Sequence, residues 1–172
     1  MAARCAAAVN ELPPRPPSPR TLVLGLGNPC LGDDAVGLHV VAELRSRLRD
    51  RPGVEVSEDY CGGLRLMERL IGFERAIVVD ACCTGAPAGT VRVLVNGALP
   101  TRHGGSSHDV DLNTALAVGR CAGAALPPEG NVWVVAVEAT EVEQFRAQCT
   151  PPVAAAIPAA ARAVEALLTE WG

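Results

Sequence analysis

Short apolar runs alternate along the chain with longer segments whose apolar residues repeat with the period of a helix. Runs of Val, Ile and Leu without polar interruption are typical of strands that are covered on both faces, as in a parallel sheet. The predicted strands are residues 22–26, 54–59, 75–80, 90–95 and 132–137. The predicted helices are residues 35–48, 64–70, 111–122 and 153–171, with Pro158 at or near the first turn of the last helix. This alternation predicts an α/β fold with helices on both faces of a mostly parallel twisted sheet, in which strand 90–95 leads to an edge.

Composition sets the domain organisation. The chain has 172 residues, of which 49% are hydrophobic and only 3% aromatic, so Val, Leu, Ile and Ala must fill a single core. The first twenty residues are rich in proline, which disfavours both helix and sheet. We therefore expect a disordered tail over residues 1–20 and one α/β domain over residues 21–172.

Charge, hydropathy and cysteine content limit the classes of partner and the cellular compartment that the sequence favours. The net charge is -4 and the basic residues form no cluster, so we expect neither nucleic acid nor a membrane as a partner. No apolar run approaches the roughly 20 residues that span a bilayer. The seven cysteines are an odd number without a CxxC pair, which is typical of reduced thiols. The sequence predicts a cytoplasmic protein.

A glycine-rich loop follows the first predicted strand. Gly27, Asn28, Pro29 and Gly32 end the apolar run, and Asp33 and Asp34 stand where the next helix begins. Either carboxylate would cap the free N–H groups of that helix and complement its dipole. Since capping requires only one of them, the second carboxylate suggests a further role.

Three polar side chains each follow a predicted strand: Asp34, Asp80 and His108. Because ligands bind at the carboxyl ends of the strands in an open α/β sheet, we expect these side chains to converge there. Two carboxylates and one imidazole suit a divalent transition ion such as nickel or zinc, with positions left open for a substrate group. The alternative is that they are helix caps and solvated surface side chains.

Three motifs resemble those of the hydrogenase maturation proteases, the endopeptidases that trim the large subunit of [NiFe] hydrogenases. Residues 25–37 read Gly-Leu-Gly-Asn-Pro-Cys-Leu-Gly-Asp-Asp-Ala-Val-Gly and are similar to the family signature GxGNxxxxD(D/E)xxG. Residues 77–81, Ile-Val-Val-Asp-Ala, resemble a second signature, and Ser106-Ser107-His108 resembles a third. Residues 137–142 are similar to the family's last strand and loop, so the resemblance spans roughly residues 22–168.

The resemblance implies a three-layer α/β/α fold and an aspartic-type endopeptidase. Asp34, Asp80 and His108 would be the catalytic and metal-binding residues, and Gly27, Asn28 and Gly37 would shape the first loop. The reaction would remove a C-terminal peptide from the [NiFe] hydrogenase large-subunit precursor after nickel insertion. The nickel would be supplied by the substrate, and zinc or cadmium would also fit the site. The ion would serve either for recognition or for polarising the scissile carbonyl or a water.

The family also has a substrate-recognition loop after its second strand, usually close to Asp-Gly-Gly-Thr. This chain has Glu58, Asp59, Cys61, Gly62 and Gly63 in that region and departs from the pattern. The resemblance implies that these residues bind substrate, and the two glycines would permit close approach by an extended peptide.

Other functions stay open. A cysteine-nucleophile hydrolase would use Cys82 or Cys83 with His108. A non-enzymatic nucleotide-binding module would use the first glycine loop, although two aspartates there repel an anion. Leu26 to Pro29 also resemble the opening of peptidyl-tRNA hydrolases, but the chain lacks a basic surface. Finally, two acids, Asp109 and Glu138, are either partners that orient His108 or surface carboxylates.

Overall fold

The computed structural model describes residues 20–95 and 112–171. The five strands are β1 (Thr21–Leu26), β2 (Val54–Asp59), β3 (Arg75–Cys82), β4 (Val91–Val95) and β5 (Val132–Glu138). The four helices are α1 (Val36–Arg47), α2 (Gly63–Arg69), α3 (Leu112–Cys121) and α4 (Pro151–Glu170), and a single 3₁₀ turn (Gly32–Ala35) precedes α1. All the predicted strands and helices are present, with shifts at their ends. The predicted tail falls almost wholly outside the described residues.

The strands form one sheet in the order β2-β1-β3-β5-β4. The first four of these strands are parallel, and β4 lies at an edge and runs antiparallel to β5. The register places Gly25 of β1 opposite Glu58 of β2 and opposite Val79 of β3. Both the mostly parallel sheet and the edge position of residues 90–95 are confirmed.

Each face of the sheet packs against helices and forms its own core. On one face, Val23, Ile77 and Val79 pack against apolar residues of α1 and α4. On the other, Leu24, Val78 and Val134 pack against residues that include Leu66 of α2 and Leu116 of α3. The alternation of Ile77, Val78 and Val79 between the two cores follows from the two-residue period of a strand. The helix–sheet–helix arrangement agrees with the three-layer expectation.

Helix α4 begins two residues earlier than predicted, and Pro158 lies in its interior. Pro151 and Pro152 occupy the first helical positions, where no backbone N–H is needed. The expectation that Pro158 lies at or near the first turn is therefore wrong. Pro158 and Ala154, whose carbonyl would otherwise accept its N–H, are both exposed, so water can satisfy the free carbonyl.

Helix α4 is long and apolar enough to cross a membrane when judged by length and composition alone. It lies against the sheet, however, and Val153, Ala160 and Val164 on its inner face are completely buried in the core with α1. We therefore interpret it as a core helix.

The described cysteines, which exclude Cys5, are all free thiols, as expected.

Candidate active site

Four loops meet at the end of the sheet where the parallel strands have their carboxyl termini, which we call the carboxyl edge. Residues 27–31 follow β1, residues 60–62 follow β2, residues 83–90 follow β3 and residues 139–150 follow β5. Because β1, β3 and β5 are neighbours, their loops lie side by side. This edge carries the candidate residues of the described chain.

The loop after β1 closes on the Asp34 carboxylate. Gly27 has φ 142°, and a Cβ there would lie 1.9 Å from the carbonyl oxygen of Asp34, so only glycine fits. The backbone N–H of Asn28 donates to Asp34 Oδ2 at 2.7 Å. The Asn28 side chain in turn accepts the N–H of Cys30 at 3.0 Å. The loop thus holds the partly exposed Asp34 carboxylate in one orientation.

A second close approach brings Asp34 and Asp80 to the same part of the edge. A Cβ on Gly37 would lie 2.3 Å from the carbonyl oxygens of both Leu26 and Val79, so the start of α1 is pressed onto β1 and β3. The 3₁₀ turn that carries Asp34 consequently contacts β3. Asp80 directly follows Val79 on that strand. The two aspartates therefore stand on neighbouring elements at one end of the sheet.

Asp80 is fully buried and lies within β3, because the strand continues two residues beyond its predicted end. Its Oδ1 accepts the N–H of Ala81 at 2.8 Å. Strand alternation places its side chain on the same face as Val78 and Cys82, which belong to the core with α2 and α3. The third candidate, His108, lies outside the described residues. So do Asp109 and the serines of the same motif.

Asp33 points in a different direction from Asp34. It is fully buried, and its carboxylate accepts the N–H of Thr150 at 2.6 Å, the Thr150 hydroxyl at 3.0 Å and the N–H groups of Thr140 and Glu141 at 3.2 Å each. Burial alone would raise the pKa of Asp33, but these hydrogen bonds outweigh it and hold the pKa below its usual value. Asp33 fastens loop 139–150 to the start of α1.

The expectation that Asp33 or Asp34 caps the helix is wrong, because neither the 3₁₀ turn nor α1 has a side-chain cap. Asp33 instead bonds to residues up to 117 positions away. Sequence reasoning missed this role, since no local pattern signals a partner so distant in the chain.

The loop after β2 lies beside the loop after β1. Glu58 is paired with Arg45 of α1 at 2.8 Å and accepts the Tyr60 hydroxyl at 3.1 Å. Tyr60 itself is exposed. The Glu58 carboxylate is thus bound by two side chains of the same protein, Arg45 and Tyr60.

Asp59 shapes the same loop. Its Oδ1 accepts the N–H groups of Tyr60 at 2.7 Å and Cys61 at 3.3 Å, and its Oδ2 is 3.3 Å from Arg69 Nε. Gly62 precedes α2, and Gly63 has φ 61°, a conformation that favours glycine. The structure therefore gives Asp59 and Gly63 local structural roles at a position next to the Asp34 loop.

Glu138 at the end of β5 is buried, so the expectation of a surface carboxylate is wrong. It accepts the N–H groups of Thr84 at 2.6 Å and Gly85 at 2.8 Å, and it pairs with Arg92 of β4 at 2.5 Å. Burial opposes ionisation, but the hydrogen bonds, above all those from Thr84, lower the pKa of Glu138 overall. This buried acid connects the loop after β3 with β4 and so orders that loop.

The two candidate thiols differ in their surroundings. Cys82 is buried and donates to Glu138 Oε2 at 3.4 Å. Burial, chiefly, raises the pKa of Cys82 to about 11, so this thiol is protonated at neutral pH. Cys83 is partly buried and donates to the carbonyl of Ala139 at 3.4 Å. Cys82 therefore lacks the thiolate that a nucleophile needs.

Within residues 20–95 and 112–171, no three His, Cys, Asp or Glu side chains form a group that could hold a metal ion. The predicted trio includes His108 and so extends beyond this part of the chain. What the described residues contribute is a pair of aspartates at one edge.

Comparison with known proteins points to one family. A sequence model of that family, described as HycI, hydrogenase maturation protease, matches residues 38–167. The hydrogenase expression/formation protein HupM of Azotobacter chroococcum is 30% identical over 158 residues, which are 90% of this chain and 74% of HupM. The hydrogenase 2 maturation protease of Escherichia coli is 30% identical over 156 residues, which are 89% of this chain and 93% of that protein.

Solved structures give the same result. The hydrogenase maturating endopeptidase HybD from E. coli superposes with a TM-score of 0.74 at 29% identity, over 89% of this chain and 94% of HybD. An endopeptidase from Escherichia coli determined in solution superposes with a TM-score of 0.73 at 31% identity, over 89% of this chain and 94% of the other. Sequence and fold thus match the same group of proteins.

Proposed function

The chain belongs to the hydrogenase maturation protease family, and from that premise we propose that it removes the C-terminal peptide of a [NiFe] hydrogenase large-subunit precursor after nickel insertion. As a member of the family it is a peptide-bond hydrolase. Its partner in this proposal is the precursor, and Asp34, Asp80 and His108 recognise the nickel that the precursor carries.

The observation that carries the proposal is the juxtaposition of two aspartates at the carboxyl edge of the sheet. Gly37 lets the start of α1 touch both β1 and β3, which brings the turn with Asp34 against the strand with Asp80. The Asn28 N–H then fixes the Asp34 carboxylate. Two acids held on separate elements of one edge are a suitable platform for a cation.

His108 completes the donor set in this proposal. It precedes the first residue of α3, Leu112, by four positions, and four residues of chain span at most about 14 Å. Leu112 belongs to the same core as Val78 and Cys82, on the face to which alternation assigns Asp80. The connection therefore permits the imidazole to meet the two carboxylates.

Nickel enters as part of the substrate. Two carboxylates and an imidazole fit a divalent transition ion and leave positions for the ligands that it already has. Zinc or cadmium would fit the same donors. Because the ion marks a precursor as ready, recognition of nickel and positioning of the scissile bond become one event. An ion so placed also polarises a carbonyl or a water, so the reaction needs no side-chain nucleophile.

The geometry disfavours the two alternative functions. The raised pKa of Cys82 leaves that thiol protonated, which removes one of the two candidate nucleophiles. In the first loop, the Asn28 N–H that a phosphate would need already donates to the Asp34 carboxylate. Asp33, which directly precedes Asp34 in the chain, adds a buried negative charge. A nucleotide phosphate would therefore meet charges of its own sign.

The proposal places the reaction in the cytoplasm. The six described cysteines are free thiols, which is the state that a reducing compartment such as the cytoplasm maintains.

The test compares a nickel-loaded with a nickel-free large-subunit precursor and follows the loss of the C-terminal peptide by mass spectrometry. We expect trimming of the loaded form only. Asp34→Ala, Asp80→Ala and His108→Ala are expected to slow it by at least about 100-fold. Asp50→Ala is the matched control. Asp50 is an exposed aspartate that follows α1, near the amino-terminal ends of the parallel strands. Equal trimming of both precursors would contradict nickel recognition.

A further inference from the structure

Phe145 is an aromatic side chain that the fold leaves in solvent. It is 89% exposed, whereas the other phenylalanine of the chain, Phe73, is 9% exposed. Burial of an aromatic ring is one of the larger favourable terms available to a side chain. In a chain with so few aromatic residues, a ring placed outside the core is available to a partner.

The backbone beside Phe145 is held firmly, so the ring is not on a loose loop. The N–H of Arg146 donates to the Cys30 carbonyl at 2.9 Å, and the N–H of Gly32 donates to the Arg146 carbonyl at 2.8 Å. The Arg146 side chain pairs with Glu141 at 2.9 Å. Both ends of loop 139–150 are also bound to the Asp33 carboxylate. The backbone position from which the ring projects is therefore set before any partner arrives.

These hydrogen bonds also place Phe145 next to the candidate active site. The backbone of its neighbour Arg146 forms an isolated β-bridge with Leu31, which lies in the segment between Asn28 and Asp34. Asp33, which anchors the same loop, is adjacent to Asp34 in the chain. A partner that binds Phe145 would thus contact the chain beside the loop that carries Asp34.

We propose that Phe145 is a docking anchor that inserts into an apolar pocket on the folded body of the large-subunit precursor. This inference rests on the proposed function and adds a second contact outside the cleaved peptide. Rigid aromatic side chains surrounded by polar groups are the usual centres of binding energy at protein interfaces, and Glu143, Gln144 and Gln148 around Phe145 are exposed and polar. A folded surface can enclose a ring on all sides, whereas a flexible peptide must first lose conformational freedom.

The experiment measures steady-state trimming of nickel-loaded precursor by the full chain and by Phe145→Ala, Phe145→Leu and Ile71→Ala. Ile71 is the matched control, because it is 44% exposed and precedes β3, near the amino-terminal ends of the parallel strands. We expect Phe145→Ala to raise KM about 30-fold, with kcat within about twofold of the original value. Phe145→Leu should lie between, and Ile71→Ala should leave KM unchanged. The thermal midpoint of each variant should stay unchanged.

Each other result has a definite meaning. An unchanged KM in Phe145→Ala, an equal rise of KM in Ile71→Ala, or a fall of kcat alone overturns the docking anchor while the proposed function stands. If the unmodified chain trims no precursor, loaded or not, the proposed function fails and the docking anchor fails with it. A lowered thermal midpoint in Phe145→Ala would show that the ring stabilises the chain itself and would also overturn the anchor.

Discussion

Substitution of Asp33 tests whether the acid next to Asp34 is a structural tie. In Asp33→Ala, the N–H groups of Thr140, Glu141 and Thr150 and the Thr150 hydroxyl lose their acceptor. In Asp33→Asn, one acceptor oxygen is kept, but the new NH₂ group faces donors. The two variants therefore remove different fractions of the same network without altering Asp34.

The expected loss follows from the number of groups left unpaired. A buried N–H without an acceptor costs about 1–3 kcal/mol, and the loop can open to water to recover part of this, so we expect Asp33→Ala to lose about 3–5 kcal/mol of unfolding free energy. Asp33→Asn should lose about 2 kcal/mol, because roughly half of the acceptor capacity remains. Either loss is a large fraction of the roughly 5–15 kcal/mol that stabilises a domain.

Urea unfolding at pH 7 gives the free energies, and amide hydrogen exchange at Thr140, Glu141 and Thr150 locates the loss. Asp50→Asn is the control, because this exposed aspartate should change stability by less than about 0.5 kcal/mol. A loss below about 1 kcal/mol in Asp33→Ala, or unchanged protection of the three amides, would refute the reasoning.

The pH dependence supplies an independent check. Because the folded chain lowers the pKa of Asp33 below its ordinary value of 3.8, ionised Asp33 stabilises the fold above that pH. The contribution disappears as the pH falls from 3.8 through the lower pKa of the folded state. The stability difference between the unmodified chain and Asp33→Asn should therefore be constant from pH 7 to about 5 and shrink below about 4.

Three other substitutions test the remaining features of the edge. Gly37→Ala should cost about 3 kcal/mol or more in urea unfolding, because its Cβ would lie 2.3 Å from two carbonyl oxygens; a loss under 1 kcal/mol would contradict the close approach. Glu138→Gln should cost about 2 kcal/mol and speed amide exchange at Thr84 and Gly85, the cost being moderate because Arg92 is 38% exposed and can be hydrated. Cys82→Ala combined with Cys83→Ala should trim nickel-loaded precursor within about threefold of the original rate, and loss of trimming would restore the thiol mechanism.

Much of the architecture could be predicted because buried parallel strands are written as continuous apolar runs. Residues 75–80 and 132–137 show this pattern, and both are central strands. The direction of β4 could not be predicted, since a short edge strand carries no signal that distinguishes antiparallel from parallel pairing. The start of α4 was misjudged although a signal was present. Thr150 followed by Pro151 is a typical helix start, and Pro158 drew attention away from it.

The candidate site was only partly predictable. Asp34 and Asp80 stood out because each ends a strand or begins a helix, which are local features. The partners of Asp33 lie 107–117 positions away in the chain and those of Glu138 lie 46–56 positions away, and no spacing rule reveals such contacts. Phe145 did leave a signal. It is a single aromatic residue in the polar segment Glu143 to Gln148.

The buried carboxylates order this edge and also bear on its proposed preference for a cation. Asp33 binds the loop after β5 to the loop after β1, and Glu138 binds the loop after β3 to β4, so the loops on either side of Asp80 are each held by a fixed negative charge. Backbone N–H groups solvate these charges but do not cancel both of them, since of these two acids only Glu138 has an arginine partner among the ion pairs of the described chain. The charge of Asp33, next to Asp34 in the chain, therefore makes the potential near Asp34 more negative. Such a potential attracts a divalent ion and repels a phosphate. The residues that build the edge thus support the proposal of a metal-bearing substrate over that of a nucleotide.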